Sequence, residues 1–324
     1  MSLEEKTILI TGGTGSFGKK FIELALKAKI DAIRVFSRGE YKQLKVRKKF
    51  KNNSKLRFFI GDVRDEKRLS RAVRGVDVVV HAAALKQITA AEYNPLEAIK
   101  TNIDGARNVI NAALEQGVSK VMALSTDKAV NPVNLYGATK LCAEKLFVQA
   151  NSYAADTGTQ FSCVRYGNVL GSRGSVIPLF RKQSEQGKIT ITDKRMTRFW
   201  ITLKEGVEFV MSCINKMKGG EVFVPKLPSS NIMDLAEAIA PEAKKEVVGI
   251  RPGEKLHEVL ISKQEARHTK EFEDFFVIEP EHDFWGANNW KEGKELSDGF
   301  VYDSKNNDDK LSVSEVTDIL KKID

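Results

Sequence analysis

Short apolar runs alternate with amphipathic stretches through the first half of the chain. The runs 6–12 (KTILITG), 32–38 (AIRVFSR), 56–63 (LRFFIGDV), 76–84 (VDVVVHAAA), 119–126 (SKVMALST) and 160–169 (QFSCVRYGNV) are rich in Val, Ile and Phe. Near-continuous apolar runs of this length suit strands buried on both faces of a sheet. Between them, 21–29 (FIELALKAK) and 108–117 (NVINAALEQG) predict helices, the second with apolar residues three and four apart and a glycine to stop it. Repeated strand–helix alternation implies right-handed βαβ units, hence an α/β fold with a doubly wound parallel sheet. After about residue 170 the alternation fails. One helix is expected within 171–200, another sheet strand at 219–225 (GGEVFVP), helices at 233–241 and 313–324, and loop across 280–310. No internal repeat is visible. Residues 1–167 plus about 201–225 are therefore expected to form a nucleotide-binding domain, and about 168–200 and 226–324 a smaller, partly interleaved α/β substrate domain.

Composition adds little to that picture: 324 residues, 42% of them hydrophobic, can bury a full core and describe an ordinary soluble protein. The start, MSLEEKTILITGG, sets acids before an apolar run of only about five residues, unlike a secretory signal. No apolar stretch approaches the roughly 18–20 residues needed to cross a bilayer. Cys142, Cys163 and Cys213 lie far apart among apolar neighbours, in no metal-ligand spacing, and are expected to be buried thiols in a reducing cytoplasm. The formal net charge is +9, with a dense basic run at 45–55 (KVRKKFKNNSK). That run lacks the interleaved aromatics of a single-strand platform, so a solvated helix end is expected there, with no nucleic-acid or membrane contact. Excess positive charge has a third use, holding a small anionic substrate.

Straight after the first apolar run, ITGGTGSFGKK sets Gly12, Gly15 and Gly18 three apart at the mouth of the first helix. Glycine there lets the backbone turn sharply and approach a pyrophosphate, which the free N–H groups of the helix start then bind. Placed on the first strand of a βαβ series, the turn predicts dinucleotide binding by a Rossmann-type domain. The second strand ends in Ser37-Arg38, where NAD-binding domains usually carry an acid for the ribose hydroxyls. A hydroxyl and a guanidinium suit a 2′-phosphate instead, so the expected cofactor is NADP, with Glu40 and Lys42 just past the strand. Asp62, followed by Val63, is placed either to meet the adenine amino group or to cap a helix.

Residues 124–140, LSTDKAVNPVNLYGATK, crowd titratable groups into the passage from a strand to a helix. Tyr136 and Lys140 are four apart and share a helix face. Ser125 and Thr126 end the strand, at the carboxyl edge where such sheets bind ligands. An ammonium beside a tyrosine lowers its pKa from about 10. Tyr136 is thus a candidate general base for a substrate hydroxyl.

With these residues in place the chain resembles the extended short-chain dehydrogenase/reductase family, on the glycine turn at 12–18, HAAA at 81–84 and Tyr136-xxx-Lys140. It resembles more narrowly the inverting UDP-N-acetylglucosamine 4,6-dehydratases that begin pseudaminic acid synthesis. The blocks that carry this are TGGTGSFG, FIGDVRD, HAAALK, EYNPLEAIKTNI, LSTDKAVNPVNLYGATK, VRYGNVLGSRGSV, RMTRFWIT, GGEVFVP and IRPGEKLHE, spanning residues 11 to about 258. The resemblance implies a catalytic set of Thr126, Asp127, Lys128, Tyr136 and Lys140. For the cofactor it implies contacts from Thr14, Ser16, Phe17, Ala82, Leu124 and Ser125 besides those named above. Substrate contacts are implied for Lys86, Asn168, Val169, Arg173, Gly174, Ser175, Val176, Thr192, Arg251 and Glu254, with Arg195 and Arg198 as further candidates. The implied partner is UDP-N-acetylglucosamine, and the implied assembly a homo-oligomer, often a hexamer. His81, inside an apolar run, is expected to be structural or beside the cofactor, and His257 has no assigned role.

Asp127 and Lys128 decide the chemistry. Oxidation of the sugar at C4 acidifies the hydrogen at C5, and a dehydratase must then remove that proton and expel the C6 hydroxyl. Retaining dehydratases of the resembling family carry Asp-Glu at this place. In the manner of the inverting family, Asp127 is expected to be the acid at C6 and Lys128 the C5 base, with NADP reduced and reoxidised within one turnover. Such a lysine must be neutral, and bringing its pKa from about 10.4 to about 7.5 costs about 4 kcal/mol. Lys140 and the nicotinamide charge are expected to push that way. Reprotonation from the opposite face gives a 6-deoxy-4-keto sugar of L-arabino configuration. The competing readings are a UDP-sugar 4-epimerase, the 5-inverting dehydratase of UDP-N-acetyl-fucosamine synthesis, and an inactive NADP-sensing protein.

Overall fold

The structure, a computed structural model, describes residues 3–171, 175–282 and 290–323. Strands β1 (Thr7–Thr11), β2 (Ala32–Ser37), β3 (Leu56–Ile60), β4 (Val78–His81), β5 (Lys120–Leu124) and β6 (Gln160–Val164) form where the apolar runs fall. The intervening helices are α1 (Ser16–Ala25), α2 (Glu40–Lys49), α3 (Glu66–Val73), α4 (Ile88–Tyr93), α5 (Pro95–Ile99), α6 (Gly105–Glu115) and α7 (Leu135–Gln149). Beyond them come β7 (Asn168–Val169), α8 (Val176–Ser184), β8 (Lys188–Ile191), β9 (Thr197–Ile201), α9 (Leu203–Lys216), β10 (Val222–Pro225), β11 (Ser229–Asn231) and α10 (Ile232–Ile239). The last elements are β12 (Lys244–Val247), β13 (Val259–Ile261), β14 (Thr269–Glu271), β15 (Phe275–Ile278), β16 (Lys294–Glu295), β17 (Tyr302–Asp303) and α11 (Val313–Ile323).

The large sheet runs β16-β14-β15-β10-β6-β5-β4-β1-β2-β3. From β3 to β10 every neighbouring pair is parallel, the Rossmann arrangement that the sequence predicts. All five residues of β1 and all four of β4 are buried, as strands covered on both faces must be. The chain reverses its winding between β1 and β4, and there Thr11 joins the two strand ends. Its hydroxyl accepts from the N–H groups of Ala82 and Ala83, at 3.1 and 3.2 Å, and lies 2.9 Å from His81 Nδ1. A hydroxyl so engaged has its one proton left for the imidazole, so His81 is neutral with the proton on Nε2. Burial and the nearby Lys140 push its pKa down to about 3. His81 is a structural residue of the strand edge.

The sequence pattern and the structure differ at four places. The run 160–169 does not continue as one strand, because β6 stops at Val164 and Asn168-Val169 cross to a three-stranded sheet, β11-β9-β7. Gly167 permits the crossing, since a Cβ there would lie 2.6 Å from Phe199 Cβ. Strands β15, β14 and β16 extend the large sheet antiparallel, so the stretch 269–295 returns to the large sheet instead of joining the smaller unit. The smaller unit has its own apolar core, from Ile177, Phe180, Ile189, Ile191, Trp200, Leu235, Val316 and Leu320. The stretch 280–310, expected as loop, contributes the short β16 and β17. Finally, Cys163 and Cys213 are buried but Cys142 is exposed, since it lies on the outer face of α7. The basic run begins at a helix end, as expected: Arg47, Lys48 and Lys49 occupy the last turn of α2, where a helix end favours cations.

Candidate active site

At the carboxyl edge of the parallel strands lies a cleft of about 1070 Å³ between the two cores. Its first wall is the turn between β1 and α1. Gly12 has φ +67°, and a Cβ on Gly18 would sit 2.4 Å from Gly13 Cα, so side chains are barred where strand and helix pack. Gly15 caps α1 without any side-chain hydrogen bond, which leaves the helix N–H groups open to the cleft. The turn thus fits a dinucleotide pyrophosphate. Thr14, Ser16 and Phe17 line the cleft beside this turn, and Ala82, Leu124 and Ser125 line it too. At the end of β2, Ser37 Oγ accepts from Gln43 Nε2 at 3.1 Å, and Arg38 Nη1 lies 3.7 Å from Asp62 Oδ2. Ser37, Arg38, Lys42, Asp62 and Val63 line the cleft, whereas Glu40, the first residue of α2, does not. Asp62 does not cap α3. That place belongs to Asp65, which accepts from Arg68 N, while Asp62 is held below the usual carboxylate range mainly by hydrogen bonds from Arg64, against the opposing effect of its burial.

The centre of the cleft is the stretch 124–140. After β5, Thr126 caps a single 3₁₀ turn, Asp127–Ala129, and its Oγ1 donates to Asp127 Oδ1 at 2.8 Å. Helix α7 then begins at Asn134, whose Oδ1 accepts from Gly137 N at 2.7 Å and whose Nδ2 donates to Gly253 O at 2.8 Å. A Cβ on Gly137 would lie 2.1 Å from Lys128 O, so glycine alone lets α7 press against the turn that carries Lys128. This contact brings Tyr136, Lys128 and Thr126 to one place.

The charges there differ from those expected. Lys128 Nζ lies 3.0 Å from Asp127 Oδ1 and 3.4 Å from Glu258 Oε1. Burial works to strip its proton, but the two carboxylates outweigh it and hold the ammonium above the ordinary lysine range. The expected neutral Lys128 is therefore not the resting state. Burial raises Asp127, which Lys128 and the Thr126 hydroxyl oppose. Tyr136, expected to be lowered by Lys140, is instead raised by burial; the cation that opposes this is Lys128. Lys140 is lowered by its own burial and faces Cys163 and Glu144.

Thr126, Lys128, Tyr136 and Lys140 line the cleft, but Asp127, 1% exposed, lies behind Lys128 and does not. Direct contact of Asp127 with a leaving oxygen does not match this place. Lys86, Asn168, Val169, Ser175, Val176, Thr192, Arg251 and Glu254 also line the cleft; Arg173 and Gly174 lie outside the described residues. Arg198 lines it too, its guanidinium donating to the carbonyls of Thr197, Lys255 and Leu256. Arg195 is absent from the wall, paired in solvent with Asp193 at 2.8 Å. His257 turns Nδ1 to Thr197 Oγ1 at 2.8 Å. Ser125 Oγ, Asn168 Oδ1, Glu254 Oε2 and Glu258 Oε2 are buried on this wall without a protein partner. Unpartnered buried polar atoms are costly, and a polar ligand would satisfy them. Glu258 had no role in the sequence, although it ends the block IRPGEKLHE; a lone acid heading the apolar strand Val259–Ile261 was the available signal.

Three comparisons bear on this geometry. The profile of the family described as "Polysaccharide biosynthesis protein" matches residues 8–280. The chain is 53% identical, over 97% of both chains, to a UDP-N-acetylglucosamine 4,6-dehydratase (inverting) of Campylobacter jejuni subsp. jejuni serotype O:23/36 (strain 81-176). It is 43% identical, over 99% of itself and 96% of the relative, to a UDP-glucose 4-epimerase of Rickettsia conorii (strain ATCC VR-613 / Malish 7). Among solved structures, Pen from Bacillus thuringiensis superposes with a TM-score of 0.90 at 39% identity, covering 99% of this chain and 100% of that one.

Proposed function

The chain belongs to the polysaccharide biosynthesis protein family, and from that premise we propose that it is a C5-inverting UDP-N-acetylglucosamine 4,6-dehydratase that keeps NADP bound. The observation that carries the reading is the Lys128–Asp127 pair set beside Tyr136 at the carboxyl edge of the sheet. Bound NADP+ supplies hydride acceptance from C4 and its return to C6. The glycine turn and the open end of α1 hold the pyrophosphate, and Ser37 with Arg38 receives the 2′-phosphate. Arg251 lies where it can neutralise the UDP diphosphate.

Tyr136 takes the proton of the C4 hydroxyl; burial holds its pKa up, and the Lys128 ammonium and the Thr126 side chain favour the phenolate against that burial. Lys128 then has to become an amine. Its proton passes over 3.0 Å to Asp127 Oδ1, which turns a charged pair into a neutral one with no net change of charge. The amine removes the C5 proton. The C6 oxygen leaves as water with a proton that reaches it from Asp127 through Lys128 Nζ, since Asp127 itself has no surface on the cleft. The pair is then again ammonium and carboxylate. The proton that Tyr136 took from the C4 hydroxyl balances the last step: its equivalent, delivered to the opposite face of C5, returns Tyr136 to its starting state and completes the inversion, giving UDP-2-acetamido-2,6-dideoxy-β-L-arabino-hex-4-ulose, a precursor of pseudaminic acid or a related sugar. The protein works as a homo-oligomer on this reading.

Lys128→Ala is expected to retain NADP and to lose turnover of UDP-N-acetylglucosamine by about 10²–10⁴-fold, the range for a general base. Normal turnover by that variant overturns the assignment. The epimerase relative favours a second reading, a UDP-sugar 4-epimerase. That activity needs Tyr136 but not Lys128, and its product keeps the C6 hydroxyl, so the same assay separates the two.

A further inference from the structure

Among the described residues, Glu258 is the one carboxylate that meets Lys128 from the cleft side. It ends the loop before β13 and is 2% exposed. Its backbone is fixed at both atoms: the N–H donates to Ser304 Oγ at 3.0 Å, and the carbonyl accepts from Ser304 N at 2.9 Å. One side-chain oxygen, Oε1, reaches Lys128 Nζ at 3.4 Å and Arg198 Nε at 3.7 Å. The other, Oε2, is buried with no partner. A buried carboxylate is costly unless paired and hydrogen-bonded, and the fold leaves this one half satisfied on a cleft wall. Stability does not account for it.

We propose that Glu258 is a positioning residue, which clamps Lys128 Nζ at the cleft wall and governs when that amine gives up its proton. The inference rests on the acid–base role given above to Lys128. Without Glu258, Lys128 would answer to Asp127 alone, on its buried side. With it, the ammonium is shared between a carboxylate behind and a carboxylate in front, and is aimed into the cleft. Five charged groups face one another here: Asp127 and Lys128 on the turn after β5, Arg198 on β9, and Lys255 and Glu258 on one loop. Tyr136 faces Lys128 from α7, and His257 is turned away to Thr197. Replacing Glu258 by a neutral isostere leaves three cations around one carboxylate. Lys128 then keeps Asp127 as its one remaining counter-charge among these groups, with Arg198 still opposing it, and loses its proton at lower pH than in the wild type.

The test is Glu258→Gln, read by competitive acetylation of the apo-protein with trace acetic anhydride across pH and mass spectrometry of the peptide bearing Lys128. The midpoint for Lys128 is expected to fall by about one pH unit or more relative to the wild type. The rising limb of kcat/KM for UDP-N-acetylglucosamine should move to lower pH with it. Glu258→Asp, which keeps the charge, should restore most of the wild-type midpoint. A merely structural role would lower the rate at every pH alike and leave the midpoint in place, which overturns the proposal. If Glu258→Gln does not fold, the wild type still decides. A Lys128 midpoint at or below about 10.4, the ordinary lysine value, contradicts the clamp, and one well above it supports the clamp. Because acetylation needs no substrate, a failed clamp is distinguishable from a failed dehydratase assignment, which Lys128→Ala tests separately.

Discussion

Gly137 carries the closest approach in the active site, its missing Cβ standing 2.1 Å from the carbonyl oxygen of Lys128 and 3.1 Å from Pro132 Cβ. Both neighbours are parts of the turn 127–132, which has little room to yield because Asn134 and Lys255 tie it to the loop at 251–255. Gly137→Ala should therefore cost about 1–3 kcal/mol of stability. It should also lower turnover by about tenfold or more, by moving Lys128 away from Tyr136. Thermal melting and steady-state kinetics check the two effects; full activity at reduced stability would mean that the spacing of turn and helix does not matter to catalysis. The glycine was visible in YGATK, but its reason was not. Sequence spacing gives the shared face of Tyr136 and Lys140, whereas the pressure on Gly137 comes from a turn that only the folded chain brings against it. The charge of Lys128 was misjudged for the same cause. Asp127 is its neighbour in sequence, and Glu258, which helps to keep it an ammonium, is far along the chain.

Elements differ in how far their own residues explain them. The buried strands β1, β4 and β5 are near-continuous apolar runs and could be read directly. Strands β14 and β16, of three and two residues with Thr269 alone buried, carry no such pattern and exist because β15 offers an edge. The switch between β1 and β4 couples an element to a titration. His81 is neutral when folded, with its pKa pushed down to about 3 from 6.5. Above about 6.5 the imidazole is neutral in both states and adds no pH dependence. Below that, the unfolded chain binds a proton that the folded one refuses, so stability falls as pH drops, by up to about 1.4 kcal/mol per unit. The melting temperature should thus decline between about pH 6.5 and 4.5, before carboxylates titrate. His81→Asn, which keeps an acceptor for Thr11, should flatten that decline; His257, also held low, leaves a remainder. An unchanged slope in the variant would contradict the buried neutral imidazole.

At the scale of the whole molecule, the two cores are held together by polar contacts that also build the site. The loop 251–258 donates and accepts across the cleft: Asn134 to Gly253, Lys255 Nζ to Val130 O, and Arg198 to the carbonyls at 255 and 256. Within the large core, the buried Arg165 pairs with Glu144 on α7 and with the half-buried Glu265, 2.8 Å away, while donating to Leu260 O at 2.8 Å. Helix α7 is thereby fixed to β6 and to the chain beyond β13, which keeps Tyr136 and Lys140 in register with the strand edge. The sequence motifs identified most of the residues on the cleft wall, because each motif is local. The boundary of the smaller unit was not legible, since the chain returns to the large sheet from residue 269 through strands too short to show a period.

The account turns on C5 of the sugar exchanging its proton and inverting while the C6 oxygen departs. Incubation of the enzyme and NADP with UDP-N-acetylglucosamine in deuterated water, followed by NMR of the product, addresses both events in one spectrum. The predicted product is a 4-keto-6-deoxy sugar with deuterium at C5 and the configuration there inverted. A product with C5 unaltered, or one that keeps its C6 hydroxyl and differs only at C4, would contradict it.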